Sequence, residues 1–181
     1  MEPGMIVAMI VVIALLMIWV IAEHNTIKRL QNKVKQSRSG IDVALTKRFD
    51  LIPNLIECVK GYCAHEEKVL QELTKARTDY LSSKSLKDGE VVNNKTRDVL
   101  MLAEKYPNLK ASSNFLELQS ALERTENSLS AARRLYNGDV TIYNTKIQTF
   151  PGNIFAGFMG AKEEKVFEAE QAVRANTKVN F

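Results

Sequence analysis

The chain reads as an all-α protein: an N-terminal transmembrane helix continuing into a long antiparallel helical bundle. Three observations predict this. Residues Met5 to Ala22 form an uncharged apolar run without Pro or Gly. Apolar residues further on recur at steps of three and four, the period of one helix face. Four Pro and eight Gly in 181 residues are too few for a turn-rich β protein.

The apolar run comes first in the chain and fixes where the rest works. About 18 residues at 1.5 Å each give ~27 Å, close to the ~30 Å of bilayer hydrocarbon. A cleaved signal peptide is the competing reading, and Val20-Ile21-Ala22 is a passable cleavage tripeptide. Against it, Met1-Glu2-Pro3-Gly4 lacks the basic residues of a signal peptide, and Leu15 to Val20 stays bulky to the end of the run. The expectation is a retained anchor. Lys28, Arg29, Lys33, Lys35 and Arg38 follow the span and no basic residue precedes it. Short basic flanks stay cytoplasmic, so residues 1–4 are expected outside and the body inside, at the cell (inner) membrane. Trp19 falls at the cytoplasmic interface, where an indole is favoured, and the basic collar suits anionic lipid.

No Pro or Gly interrupts residues 5–39, so the span is expected to run straight into a cytoplasmic helix. Its stripe is Ile27, Leu30, Val34, Ile41, Leu45, Phe49 and Ile52, with a polar gap at Ser37 and Arg38. Pro53 predicts a kink or restart, with helix resuming at Asn54 and running to about Leu81 through Ile56, Val59, Cys63, Leu70, Leu73 and Tyr80. Ser82 to Asp88, with Gly89, reads as a loop. A further helix is expected over about Glu90 to Lys105, ended by Tyr106-Pro107-Asn108.

The clearest helix follows, with Asn114 and Glu117 as a capping-box-like pair. Its seam is Phe115, Leu118, Leu122, Thr125, Leu129, Ala132, Tyr136, Val140, Tyr143, Ile147 and Phe150, and Pro151-Gly152 stops it. Residues 23–151 therefore form one long-helix bundle, with 152–181 an apolar segment and a tail. Asn153 to Gly160 is too short to span a bilayer; it either covers a bundle end or dips into the membrane surface. The tail from Lys162 is expected to hold a short helix and then an extended Val179-Asn180-Phe181 end.

Little chemistry is legible. The net charge of +4 comes largely from the collar, and without an aromatic-basic stacking set nucleic acid is not an expected partner. Cys58 and Cys63, five residues apart on one helix, would point about 140° away from each other, which suits core packing rather than a disulfide. The two histidines, His24 and His65, lack the repeated Glu-x-x-His motifs of metal-holding bundles. No cofactor, metal or catalytic residue is expected. The polar residues beside the seams, Asp42, Arg48, Asp50, Asn54, Glu126, Arg133, Asn137 and Asn144, are read as an inter-helix network that fixes register, with a ligand cleft as the alternative.

Two sets of blocks carry a family resemblance. Ile41-Asp42-Val43, Lys47 to Leu55 (KRFDLIPNL) and Val59-Lys60-Gly61-Tyr62 form the first set. Tyr106 to Ala111 (YPNLKA), Asn114-Phe115, Leu118-Gln119, Leu122, Thr125-Glu126-Asn127, Ala132-Arg133-Arg134, Tyr136-Asn137, Tyr143-Asn144 and Thr149-Phe150-Pro151 form the second. In this order they resemble the LemA family. The resemblance implies a bacterial membrane-anchored helical bundle with its N-terminus outside and no established catalytic activity. A related magnetosome protein implies a part in shaping or organising membranes, and family members also occur alongside membrane proteases. Cys58, Cys63 and Gly138 depart from the pattern.

The expected function is a non-enzymatic single-pass scaffold that self-associates as a homo-oligomer at the cytoplasmic face and organises or shapes the membrane. The alternative is an adaptor or sensor for another membrane protein, such as a protease or its substrate. Its handle would be the patch of Ile154, Phe155, Phe158 and Met159, which is equally a candidate for lipid.

Overall fold

The computed structural model describes residues 3–63 and 66–167. Helices α1 (Pro3–Phe49), α2 (Ile52–Lys60), α3 (Glu67–Ser83), α4 (Leu86–Ala103), α5 (Pro107–Lys110), α6 (Ser113–Gln148) and α7 (Gly152–Met159) follow in order, with no strand among the described residues. The chain divides into two compact units, residues 1–38 with 133–181, and residues 39–132.

In the unit formed by the two ends of the chain, α1 opens with the apolar run, whose 18-residue window has mean hydropathy 3.2 and is buried nowhere by protein. One N-terminal helix is thus long and apolar enough to cross a membrane. Past the span, Ile27 and Val34 turn inward, as do Tyr136, Val140, Tyr143 and Ile147 of α6. The two helices run antiparallel, tied by Glu23–Lys146 at 2.6 Å and Lys33–Asp139 at 3.0 Å. The polar gap in the α1 stripe is filled by buried Ser37, whose hydroxyl donates to the carbonyls of Lys33 and Val34, each at 3.1 Å. A buried hydroxyl satisfied by its own helix costs little.

In the other unit, Ile41, Leu45, Phe49, Ile52, Leu55 and Val59 pack with Leu70, Leu73, Tyr80, Val92, Val99, Leu122 and Leu129. Phe49 meets Tyr80 edge-on, centroids 4.8 Å apart. The α3–α4 pair is a tight antiparallel hairpin. The expected seven-residue loop shrinks to Lys84 and Ser85, because Lys84 takes the left-handed C-cap conformation (φ 51°) and the Ser85 hydroxyl accepts from Lys87 N–H at 3.2 Å. Gly89, expected in the loop, is a buried residue of α4; a Cβ there would sit 3.2 Å from the Leu45 side chain. Its missing side chain lets the helices approach.

Three other expectations need correction. The helix expected from Asn54 to Leu81 is two helices, α2 and α3, broken after Gly61 by a turn in which the Tyr62 and Cys63 N–H groups both donate to the Val59 carbonyl. Glycine's low helix propensity weakens that point; within α2 it is Leu55 that is fully buried, while Ile56 stays half-exposed. Helix α6 begins at Ser113, with Ser112 supplying the first carbonyl, so Asn114 is an exposed first-turn residue. Helix α6 ends at Gln148, which swings Phe150 off the seam to 79% exposure. In the tail, residues 162–167 are not helical, and the remainder of the expected short helix and the expected end at Val179 to Phe181 lie outside the described residues.

Candidate functional site: a main-chain clamp and an apolar segment at the span

After α7 the left-handed Gly160 (φ 61°) reverses the chain, and residues 161–167 return along α6 as a strap. Two asparagines of α6 hold it. Asn144 Nδ2 donates to the Glu164 carbonyl at 2.8 Å while Glu164 N–H donates to Asn144 Oδ1 at 3.0 Å. Asn137 does the same with Phe167, at 2.8 and 2.6 Å. The neighbouring phenols add a second rail. Tyr143 donates to the Lys162 carbonyl at 3.1 Å and Tyr136 to the Lys165 carbonyl at 3.0 Å.

Every one of these bonds reads the strap's main chain, leaving Glu163, Glu164 and Lys165 outward in solvent. A β-strand alternates faces at each residue, so presenting the same edge every third residue points to a polyproline II-like backbone. Arg133 closes the clamp, its guanidinium carbon 4.4 Å from the Phe167 ring centroid. Burial, and then the Glu164 charge, push the Tyr136 and Tyr143 phenols above their ordinary pKa, and Arg38 pulls Tyr136 partly back.

The remaining polar residues named from sequence fall into separate places. Arg48 is buried; it pairs with Glu126 at 2.7 Å and donates to the Leu122 carbonyl at 3.0 Å. Asp42 is half-buried with its charge near Tyr80, whereas Asp50 and Asn54 face solvent. Lys28, Arg29, Lys33, Lys35 and Arg38 are all exposed, yet Lys33 spends its charge on Asp139, which is only 4% exposed. Measured along the unbroken helix, Arg38 stands about 28 Å from Trp19 and Lys28 about 14 Å. Sequence reasoning missed Asp139, and took Tyr136 and Tyr143 for plain core; phenols at interior helix positions with a following polar tail were the available signal.

Cys58 and Cys63 are free thiols, and burial pushes both above the ordinary value, with Glu66 adding to the shift at Cys63. Such thiols are poor nucleophiles at neutral pH. His65 lies outside the described residues. Among the described residues, no group of three or more His, Cys, Asp or Glu is placed to hold a metal ion.

At the other end of the same unit, Trp19 packs edge-on against Phe155 of α7, centroids 5.4 Å apart at 77°. Ile154 and Phe158 face away from the protein, 49% and 88% exposed, and Met159 is partly covered.

Residues 37–181 match the LemA family model. The chain belongs to the LemA family. It is similar to Protein LemA of Metamycoplasma hominis, 26% identical over 161 residues that cover 86% of this chain and 74% of the relative. It is also similar to Magnetosome proteins MamQ 1 and MamQ 2 of Paramagnetospirillum magneticum, each 19% identical over 82% of this chain. This LemA family member spans 66% of the length of those magnetosome relatives. The clamp residues Tyr136, Asn137, Tyr143 and Asn144 all fall inside the family match.

Proposed function

We propose that this LemA family protein is a non-enzymatic, single-pass scaffold that self-associates through α6 and organises the membrane from its cytoplasmic face. The observation that carries the reading is on α6, where Leu135 and Ile142 are 58% and 51% exposed. They lie seven residues apart, about 110° round the helix from the buried seam, and so form one apolar flank. Covering that flank with a second copy would remove two large aliphatic side chains from water, at about 1.5–3 kcal/mol for each one fully buried. The apolar run of α1 supplies the anchor, and the basic residues after it support an inside body. Kinship with proteins named for the magnetosome supports a role in membrane organisation.

Crosslinking of the full-length protein in native membranes tests the assembly. Species larger than a monomer are expected, and Leu135→Glu with Ile142→Glu should abolish them at unchanged helicity. A wild-type protein that stays monomeric in membranes and at every detergent concentration would overturn the reading. A reporter at the C-terminus facing the exterior would overturn the orientation.

An adaptor for another membrane protein is the second reading. It is favoured by a cleft of about 630 Å³ between α2 and the start of α6, lined by Asn54, Glu57, Cys58, Tyr62, Asn114 and Glu117 among others. Loss of a heterologous crosslink on substituting Tyr62, with self-association intact, would support it.

A further inference from the structure

Helices on water-soluble proteins turn large apolar side chains inward and leave small or polar ones outside. Helix α7 is built the other way round. Its buried residues are Gly152 and Ala156. Of its four large ones, Phe155 and Met159 are only partly covered, Ile154 and Phe158 point out at 49% and 88% exposure, and Phe150 just before the helix is 79% exposed. No residue of Gly152–Met159 carries a charge. Water is the wrong solvent for this face.

The surroundings identify the right one. Phe155 rests on Trp19, which lies in the last turn of the apolar run of α1. Charge returns to α1 only at Glu23, four residues or about 6 Å further along the axis, where Lys146 meets it. Helix α7 thus stands level with the end of the span, on the membrane side of the first ion pair. On the Trp19 side of α1, one and two turns toward the N-terminus, Val12, Leu15 and Leu16 are 55%, 61% and 54% exposed, so apolar surface extends beyond α7 along the inferred span.

We infer that α7 is a second lipid contact, an interfacial foot whose Phe158 and Ile154 enter the boundary between headgroups and acyl chains beside the span. Eight residues would bind a bilayer weakly alone, but the anchor makes their insertion intramolecular. The clamp serves the same end. With residues 161–167 tied to α6 by Asn144 and Asn137, the chain on both sides of α7 is held and the foot stays at its depth. The inference requires that the α1 run sits in a bilayer, not that copies assemble.

Trp19 is the chain's single tryptophan, so intrinsic fluorescence reads the position of one indole at a time. In a Trp19→Phe background, Phe158→Trp, Val12→Trp and Met101→Trp are made in the full-length protein and reconstituted in phosphatidylcholine–phosphatidylglycerol vesicles. Lipids brominated high on the acyl chain are expected to remove roughly half the emission of the indole at 158, and lipids brominated near the chain end much less. The indole at 12 should be quenched most by the deep bromines, and that at 101 by neither. An indole at 158 that emits and quenches like the one at 101 would overturn the inference. So would blue-shifted emission insensitive to both bromines, which would mean that protein covers the face. No quenching at 12 would overturn anchor and foot together, whereas crosslinking of the same preparations reports self-association independently.

Discussion

Asn137 and Asn144 stand seven residues apart on α6, while the residues they grip, Phe167 and Glu164, stand three apart on the strap. Seven helical residues rise about 10.5 Å and three polyproline II residues about 9.3 Å, so the two repeats agree to about 1 Å. Tyr136 and Tyr143 repeat the relationship with Lys165 and Lys162. A helix has become a ruler for a chain that has no hydrogen-bonding ladder of its own.

Removing one asparagine should free one end of that chain. Each of Asn137→Ala and Asn144→Ala loses a pair of hydrogen bonds, about 1–2 kcal/mol. Tryptic cleavage after Lys165 should then accelerate roughly tenfold, and more in the double variant. Asn137→Asp is the sharper probe, since a carboxylate can accept from Phe167 N–H but cannot donate to its carbonyl. Unchanged cleavage in all four variants would rule out the clamp.

Alkali should loosen the strap before it unfolds the helices. The folded phenols of Tyr136 and Tyr143 titrate above the ordinary value near 10, so their stabilising contribution is complete below about pH 10. It is lost as pH rises through the raised folded values, when an ionised phenol can no longer donate to a carbonyl. Nicking of the strap by subtilisin, which needs no charged side chain, should rise above pH ~10 in the wild type, and Tyr143→Phe should already be partly released at neutral pH.

The Arg48–Glu126 pair should be lopsided. Arg48 is 5% exposed and Glu126 32% in their side chains, so water replaces a lost partner far more readily at the carboxylate than at the guanidinium. Glu126→Gln should cost about 2 kcal/mol and Arg48→Met about 1, with chemical denaturation as the measurement. The reverse order would mean that shape, not charge, fixes this position.

Two glycines should respond in opposite senses. Gly138 lies exposed within α6 with nothing near the position of a Cβ, so Gly138→Ala should stabilise by about 0.5–1 kcal/mol. At Gly152 a Cβ would collide with the Lys146 carbonyl, and Gly152→Ala should displace α7. Thermal melts and the Trp19 emission, which reports contact with Phe155, distinguish the two.

Much of the fold was legible because it rests on apolar period. The span, the α1 stripe through Phe49 and the α6 seam through Ile147 follow directly from residue type at steps of three and four. The misplaced boundaries share one cause. Turn-forming residues at 82–89 mark that a break exists, a lone Gly61 does not, and caps and packing decide where helix resumes, as Ser85 and Gly89 illustrate. The clamp was half legible. Asn137 and Asn144 stand out beside the seam, yet their ligand does not, because main-chain recognition leaves no mark on the sequence of Lys162 to Phe167. The reversed polarity of α7 was hidden for a related reason: an apolar octapeptide does not say which of its faces is outward until Trp19 is placed against Phe155.

Pro3–Phe49 is one helix, so the span inferred above would leave the bilayer without a hinge. A span joined this stiffly cannot adapt to a thinner or thicker bilayer by flexing at its exit. It must lean, and leaning drives α7 deeper on one side or lifts it on the other. On that inference, local thickness and curvature of the lipid would be felt first as a change in the depth of α7.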